Sequence, residues 1–304
     1  MHILDARQFS ADWLQDTLFP LADTMRSIHQ LGDSRVLSGK RLFYLFYQAS
    51  TRTRLSFESA MTLLGGTVSG LEPYREERDD ESLEDRIRVL SCYDYDAILL
   101  RYHEEGGAAR AAKVSGVPVI NAGDGPGQHP TQALLDAYTI RRELGRLEDL
   151  DVALVGDLTH ERTVNSLAHI LAKFPNIRLH FVSPTTLAIR AELRDELTAA
   201  NVEFDETADL SAVAPNVDVV YLTRAHTERM VMAQRYNAAD ETYRIDAAAL
   251  ERMRPNAVVL HPLPRGPELD SSLDSDPRIA CFRQAANGLF VRMALLSLLV
   301  AGQS

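Results

Sequence analysis

Residues 50–54 place three hydroxyl side chains and two guanidiniums in one short stretch, a combination suited to binding an anion. The aromatic run at residues 43–47 predicts a buried strand just before them. An apolar face with helical spacing follows, formed by Phe57, Ala60, Met61 and Leu64. The hydroxyls are therefore expected at a helix N-terminus, where backbone N–H groups lack intrahelical partners and the dipole favours an anion. Because the two arginines occupy a turn that usually carries Asp or Glu, the pattern predicts a bound phosphate.

A simpler interpretation of residues 50–54 is helix capping by the hydroxyls. In that case both arginines would be solvated or paired with acidic residues elsewhere in the chain. Three hydroxyls and two guanidiniums in five residues favour the anion, but the residues alone leave both interpretations open.

The length and charge of the chain limit what it can be. At 304 residues it exceeds the usual size of a single hydrophobic core, so two domains are expected. Its net charge of −11 argues against binding to nucleic acid or to an anionic membrane surface, since both require basic patches. An anionic substrate must therefore be met by arginines gathered at one site.

The N-terminus and the cysteines predict a cytoplasmic protein. Residues 1–5 lack the basic and apolar regions of a signal peptide, and no apolar run approaches the length of a membrane span. Cys92 and Cys281 have no metal-type spacing and are too few for a disulfide framework. A reducing compartment and no membrane partner are therefore expected.

Short apolar strands alternate with helical segments along the chain, which indicates parallel sheets covered on both faces. The predicted strands are residues 43–47, 68–71, 96–101, 118–122, 152–155, 178–182, 217–222 and 257–260. The predicted fold class is α/β, with two doubly wound parallel-sheet domains joined by long helices. We expect the first domain at residues 1–140, completed by the C-terminal helix at 285–304, and the second at residues 150–284.

Polar side chains follow five of the predicted strands, at the edge where open α/β sheets bind ligands. They belong to Arg101, to His129, to the segment 156–163 with Arg162, to the segment 223–226 with Arg224 and His226, and to the segment 261–265. Together they predict a cleft for substrates with phosphate and carboxylate groups, because bidentate arginine is the strong partner of both.

Each of these side chains also has a plain alternative role. The two arginines at 101 and 162 could be surface charges, and His129 could be part of a helix cap that has proline next to it. Arg224 could pair with Glu228, and His261 could merely hold a loop. None of the five positions is specific evidence for a binding site when it is taken alone.

Three motifs in this order resemble the aspartate/ornithine carbamoyltransferase family. They are residues 50–54 (Ser-Thr-Arg-Thr-Arg), residues 129–136 (His-Pro-Thr-Gln-Ala-Leu-Leu-Asp) and residues 261–265 (His-Pro-Leu-Pro-Arg). The resemblance extends over residues 37–299, and the motif order is highly specific. The aspartate branch is the closer match, because the third motif lacks the cysteine typical of the ornithine enzymes and no Ser-Met-Gly segment occurs near Thr223.

The resemblance implies transfer of the carbamoyl group from carbamoyl phosphate to the amine of an amino acid, L-aspartate being the favoured acceptor. The phosphate would be held by Ser50, Thr51, Arg52 and Thr53. The carbonyl oxygen would accept hydrogen bonds from Thr53, Arg101 and His129. The carbamoyl NH2 group would contact Gln132 and the backbone carbonyls of Pro262 and Leu263. The amino acid would be bound by Arg162, Arg224 and His226.

The resemblance also implies which other molecules take part. No cofactor, metal or dedicated side-chain base is required, since the phosphate can itself accept the proton of the attacking amine. The products would be N-carbamoyl-L-aspartate and phosphate, as in pyrimidine biosynthesis. The expected assembly is a homotrimer in which neighbouring subunits share active sites.

Two departures from the family pattern leave the amine acceptor open. Asp79 stands where the family has a lysine in a mobile loop, and Arg75 or Arg78 could replace that lysine. His226 stands where aspartate-specific members have a glutamine. The alternatives are aspartate with an arginine in the lysine's role, a different amine acceptor, or a non-catalytic homologue that binds anions.

A phosphate-using enzyme such as a kinase, or a nucleotide-binding protein, is the alternative that the residues suggest without the resemblance. The chain contains neither a Gly-x-x-x-x-Gly-Lys-Ser/Thr loop nor a Gly-x-Gly-x-x-Gly fingerprint. Their absence counts against this alternative.

Overall fold

The computed structural model describes residues 1–32, 34–72, 81–224 and 243–301. Contacts within the chain divide it into two units. Unit 1 comprises Met1–Leu135 and Ala286–Ser304, and unit 2 comprises Asp136–Ala285. The chain therefore passes from one unit to the other twice, and each passage lies inside a long helix.

Unit 1 is built on a parallel four-stranded sheet. Its strands are β1 (Arg41–Phe46), β2 (Thr67–Leu71), β3 (Ala97–Tyr102) and β4 (Val119–Asp124), in the spatial order β2-β1-β3-β4. Its helices include α1 (Ala11–Trp13), a π-helix (Leu14–Leu18), α2 (Phe19–Leu31), α3 (Thr51–Leu63), α4 (Leu83–Ser91), α5 (Gly107–Val114) and the start of α6 (Pro130–Leu144). A short 3-10 helix covers Ala6–Gln8.

Helix α3 forms where the apolar spacing predicts it. Its apolar face is buried at Phe57, Ala60 and Met61. Burying a side chain of the size of phenylalanine or methionine contributes about 1.5–3 kcal/mol, which outweighs the modest helix propensity of the threonines and serines in this segment. The helix ends at Leu63, and Gly65 just beyond its C-cap has a φ of +83°, a conformation that glycine adopts without strain.

Unit 2 is built on a parallel five-stranded sheet. Its strands are β5 (Leu150–Val155), β6 (Ile177–Val182), β7 (Glu203–Thr207), β8 (Val219–Leu222) and β9 (Val258–Leu260), in the order β7-β6-β5-β8-β9. Its helices are the rest of α6, α7 (Arg162–Leu171), α8 (Ala191–Ala199), α9 (Leu210–Val213), α10 (Ala247–Arg252) and the start of α11 (Cys281–Val300). Short 3-10 helices cover Thr185–Leu187, Ala214–Asn216 and Ser271–Leu273.

Both sheets contain a point at which the strand order reverses. In unit 1 the chain adds β2 on one side of β1 and β3 on the other side. In unit 2 it adds β6 on one side of β5 and β8 on the other side. Ligands of open α/β sheets bind outside the carboxyl ends of the strands at such a point. The connections after β1, β3, β5 and β8 are therefore where the fold favours a binding site.

The predicted fold class is confirmed, and all eight predicted strands are present. One strand, β7, was not predicted, because Phe204 is the only large apolar side chain in its run Glu203–Thr207. Strand β4 ends at Asp124, two residues beyond the predicted end at residue 122. None of the helices in the described part of the chain has the length and apolar character needed to span a membrane.

Gly156 allows the connections after β5 and β8 to approach each other closely. Its φ is +128°, and a Cβ atom at this position would collide with the hydroxyl of Thr223 and lie 3.0 Å from the carbonyl oxygen of the same residue. The Thr223 hydroxyl in turn donates to the carbonyl oxygen of Val155 at 2.9 Å. The close approach therefore depends on the absence of a side chain at residue 156.

We expect Gly156→Ala to lower the free energy of unfolding by ~2 kcal/mol or more, because overpacking adds to backbone strain. Gly145→Ala is the matched control, since Gly145 also has a positive φ (+76°) but has no atom within 4 Å of an added Cβ. Gly145→Ala should lower the free energy of unfolding by about 1 kcal/mol, from backbone strain alone. Urea unfolding followed by circular dichroism measures both, and equal losses would contradict the steric argument.

Candidate active site

The N-terminus of α3 carries hydroxyl groups that the helix does not use for its own cap. Ser50 is the N-cap residue, and its side chain makes no capping hydrogen bond. The first intrahelical bond is donated by the N–H of Arg54 to the carbonyl of Ser50 at 3.1 Å, so the N–H groups of residues 51–53 point out of the helix. The first turn contains no acidic residue. This helix end therefore has donors and a dipole suited to an anion.

Helix α4 shows the contrasting arrangement within the same unit. Its N-cap, Ser82, accepts a hydrogen bond from the N–H of Asp85 at 3.1 Å, and Glu84 and Asp85 supply negative charge to the first turn. Helix α4 is therefore capped and electrostatically balanced by its own side chains. The capping interpretation does not describe Ser50, whose helix lacks both features.

The two arginines of the predicted anion site have different surroundings. The guanidinium of Arg54 lies 3.2 Å from Glu72 and 3.7 Å from Glu58, and it donates to the hydroxyl of Tyr44 at 3.4 Å. The hydrogen bond with Tyr44 and the two carboxylates raise the pKa of Arg54 further. For Arg54 the alternative interpretation, pairing with acidic residues, is correct. Arg52 is the exposed arginine of the first turn.

His129 lies next to the tip of α3. Its Nε2 atom is 3.5 Å from Oγ1 of Thr53, and its Nδ1 atom is 3.5 Å from Oγ1 of Thr131. Both His129 and Thr53 are buried. The carbonyl oxygen of His129 also accepts from the N–H groups of Gln132 and Ala133 at the start of α6, so the residue caps that helix as well. The capping role of His129 is therefore compatible with its predicted role in the site. Gln132 lies within one helical turn of His129.

Arg101 stands at the end of β3, between the two connections just described. It is paired in register with Phe46 at the end of β1, and its carbonyl accepts from the N–H of Tyr47 at 2.9 Å. Its Nη1 atom donates to the carbonyl oxygen of Ala122 on β4 at 2.8 Å, and the side chain is half-buried. Arg101 is thus held at the carboxyl edge of the sheet, which argues against a plain surface charge. Unit 1 brings together the predicted residues on β1–α3, β3 and β4–α6.

Asp124, which the sequence did not single out, fixes the connections that follow β3 and β4. Its carboxylate accepts from the N–H of Gly106 at 3.0 Å and from the N–H of Gln128 at 2.8 Å. Asp124 is only 6% exposed, and burial raises its pKa, although the hydrogen bonds from Gln128, Asn121 and Gly106 oppose that rise. One buried carboxylate therefore ties the loop after Arg101 to the loop that leads to His129. In the sequence, the position of Asp124 between two glycines, just after the predicted strand 118–122, could have indicated this role.

In unit 2 the two predicted arginines follow β5 and β8, the strands on either side of the point where the order reverses. Arg162 is the first residue of α7, whose N-cap makes no side-chain capping bond and whose first turn has no acidic residue. The loop before it is fixed by Asp157, which accepts from the N–H of His160 at 3.1 Å. Arg224 is exposed and follows Thr223, whose N–H donates to the carbonyl of Val155 at 2.8 Å.

Pro262 and Leu263 follow β9 at the same carboxyl edge of the second sheet. Leu263 has a φ of +57°, which is rare for leucine, and its N–H donates to Nδ1 of His261 at 2.8 Å. The alternative role of His261, holding this loop, is therefore observed. His226 lies outside the described residues, and so does Glu228, the alternative partner of Arg224. Asp79, Arg75 and Arg78 also lie outside them.

Comparisons with known proteins identify the family of the chain. Residues 1–142 match the carbamoyl-P binding domain of aspartate/ornithine carbamoyltransferases, and residues 148–299 match their Asp/Orn binding domain. A chloroplastic aspartate carbamoyltransferase of Arabidopsis thaliana is 48% identical over 305 residues, which cover 99% of this chain and 78% of that protein.

Two solved structures are similar over nearly the whole chain. The catalytic subunit of M. jannaschii aspartate transcarbamoylase has a TM-score of 0.91 and 38% identity, covering 99% of this chain and 98% of that one. Aspartate transcarbamoylase from Trypanosoma cruzi, in complex with N-(phosphonacetyl)-L-aspartic acid, has a TM-score of 0.91 and 36% identity, covering 98% and 95%. The chain therefore belongs to the aspartate/ornithine carbamoyltransferase family.

Proposed function

We propose that the protein transfers the carbamoyl group of carbamoyl phosphate to the α-amine of L-aspartate, giving N-carbamoyl-L-aspartate and phosphate. The observation that carries the proposal is the α3 N-terminus, where Ser50 makes no capping hydrogen bond and the first turn contains no acidic residue. Thr53 in the same turn lies 3.5 Å from His129. The relatives named aspartate carbamoyltransferase, which match nearly the whole chain, support aspartate as the acceptor.

The phosphate group is bound at the tip of α3 in this proposal. The N–H groups of residues 51–53 and the helix dipole supply fixed positive potential, and Ser50, Thr51 and Thr53 supply hydroxyl donors. Arg52 adds a charge-assisted, bidentate contact of the kind that phosphate favours. The ligand supplies the negative charge that the first turn of the helix lacks.

The carbonyl oxygen of the substrate gains negative charge when the amine attacks the carbamoyl carbon. Thr53, Arg101 and His129 would donate hydrogen bonds to this oxygen, and each such fixed donor is worth roughly 10²–10³ in turnover. These donors are set before the substrate arrives, since Arg101 is held by Ala122 and the loops after β3 and β4 are tied by Asp124. Gln132 and the carbonyls of Pro262 and Leu263 would contact the carbamoyl NH2 group.

The amino-acid substrate is bound by residues of unit 2 in this proposal. Arg162 and Arg224 would hold its carboxylates, and His226 would supply a further contact. Fixing the amine against the acyl carbon replaces a bimolecular encounter, which lowers the barrier by several kcal/mol. The C–N bond forms as the C–O bond to phosphate breaks, and the departing phosphate accepts the proton of the amine.

Incubation of the protein with carbamoyl phosphate and separate amino acids tests the proposed reaction. The panel is aspartate, asparagine, ornithine and diaminopropionate, with release of phosphate and formation of the ureido product as readouts. We expect aspartate to give the highest kcat/KM, because two arginines face its two carboxylates. A preference for another amine would indicate that the departures from the family pattern at Asp79 and His226 reflect a different acceptor. No ureido product with any amine would refute carbamoyl transfer.

Arg52→Ala and His129→Ala should each lower turnover at least ~100-fold, because each removes a donor to phosphate or to the carbonyl oxygen. Arg54→Ala is the matched control, since Arg54 lies in the same turn but is paired with Glu72, Glu58 and Tyr44. Losing these partly exposed contacts should change turnover less than about tenfold, and the melting temperature reports any loss of stability. A larger defect in the Arg54 variant than in the Arg52 variant would contradict the site.

We further propose that the protein is a homotrimer with active sites shared between subunits, as the family resemblance implies. Leu55 on α3 is 48% exposed, which is consistent with a surface that a second copy covers. Multi-angle light scattering should give a mass three times that of one chain, and trimer and activity should be lost together on dilution. A monomer with full activity would contradict the shared site.

A further inference from the structure

A histidine and a glutamate form a buried pair behind the loop that follows β9. Nε2 of His261 lies 2.8 Å from Oε1 of Glu268, and the two side chains are only 1% and 4% exposed. The backbone N–H of His261 donates to Oε1 of Gln284 at 2.9 Å, so main chain and side chain are both fixed. The pair therefore fixes the start of the segment that contains Pro262 and Leu263.

The hydrogen bonds of His261 define a single ring tautomer. Nδ1 accepts from the N–H of Leu263 at 2.8 Å, and a backbone N–H can only donate. Nδ1 therefore carries no proton, and Nε2 carries the proton that it donates to Glu268. Burial tends to raise the pKa of Glu268, but the hydrogen bonds from His261 and from the N–H of Gly266 outweigh this and hold it below its ordinary value. Glu268 is thus an ionised acceptor for a neutral histidine.

Glu268 also holds the far end of the loop. Its Oε1 atom accepts from the N–H of Gly266 at 2.6 Å, in addition to the proton of His261. A Cβ atom on Gly266 would lie 2.8 Å from Oε2 of Glu268, so this close contact requires glycine. The loop from 261 to 266 is therefore bonded to one carboxylate near its start and at its end, and Leu263 between them keeps its uncommon φ of +57°.

Stability alone does not account for this arrangement. Burying an ionised carboxylate costs free energy that its hydrogen bonds at best offset, and well-packed apolar residues often stabilise a protein as well or better. What the pair supplies, and apolar residues cannot, is a directed acceptor for the N–H of Leu263. That acceptor determines the orientation of the peptide groups on either side of residue 263.

We propose that His261 and Glu268 are positioning residues that aim the carbonyl groups of Pro262 and Leu263 at the NH2 group of the acyl phosphate. The inference rests on the proposed function, in which these carbonyls contact the carbamoyl NH2 group. The pair thereby sets the preference for carbamoyl phosphate over acetyl phosphate, which has a methyl group in place of the NH2 group. A methyl group gains nothing from two aligned carbonyl acceptors.

Two substitutions of His261 separate its contacts. In His261→Asn the amide oxygen lies near the position of Nδ1 and can still accept from Leu263, whereas in His261→Gln the amide lies near the position of Nε2 and cannot. We expect His261→Gln to lower kcat/KM for carbamoyl phosphate by ~100-fold, the scale for misplacing a substrate contact. His261→Asn should lose at most about tenfold. Acetyl phosphate, measured as a competitive inhibitor, should bind both variants within about threefold of wild type, because it makes no use of the carbonyls.

Substitutions of Glu268 supply a second test. Glu268→Gln keeps an oxygen for both donors and should restore most of the preference that Glu268→Leu loses. His169→Asn is the matched control, because His169 is a buried histidine paired with Glu196 at 3.1 Å in the same unit. It should leave the ratio of carbamoyl phosphate to acetyl phosphate affinity unchanged. Melting temperatures of all variants report their folding.

The outcomes distinguish this inference from the proposed function. Suppose that the wild-type protein carbamoylates an amine, but that the His261→Gln variant binds carbamoyl phosphate and acetyl phosphate more weakly by the same factor. The pair is then structural only, and the inference is overturned. An unchanged ratio in both His261→Gln and Glu268→Leu overturns it as well. If the wild-type protein carbamoylates no amine, the proposed function and the inference are overturned together.

Discussion

The backbone N–H groups at the start of α3 are the constraint on which the rest of unit 1 depends. They point out of the helix, the cap hydroxyl of Ser50 is not bonded to them, and the first turn contains no acidic residue. Such a helix end is stabilised by an anion. The sheet then determines which other side chains lie near this helix end, because the carboxyl ends of β1, β3 and β4 are neighbours. Arg101 and His129 are at this edge for that reason.

Unit 2 has the same kind of parallel sheet as unit 1, but different polar residues follow its strands. Its sheet also reverses strand order, and Arg162 and Arg224 follow the two strands at that point. The close approach of Gly156 to Thr223 and the buried pair of His261 with Glu268 hold in place the described residues that follow β5, β8 and β9. In both units, therefore, buried backbone and side-chain hydrogen bonds hold predicted site residues in place, so that less ordering remains when a substrate binds.

The parts of this structure that depend on local pattern were predictable from the sequence. The apolar strands, the buried face of α3 and the polar residues after each strand follow from periodicity and from the known geometry of parallel sheets. Contacts between distant residues were not predictable, such as the pairing of Arg54 with Glu72 or the hydrogen bond that the N–H of Gly106 donates to Asp124. Strand β7 was missed for a related reason, since an edge strand with solvent on its polar positions lacks a continuous apolar run.

The central claim is that the tip of α3, with Arg101 and His129, binds the phosphate and carbonyl groups of one acyl phosphate. A crystal structure of the protein with N-(phosphonacetyl)-L-aspartic acid tests this most directly, because this ligand carries a phosphonate, a carbonyl and two carboxylates. Our account predicts the phosphonate within hydrogen-bond distance of the N–H groups of residues 51–53 and of Arg52, with the carbonyl oxygen next to Thr53, Arg101 and His129. A phosphonate bound elsewhere, with the tip of α3 facing only solvent, would contradict it.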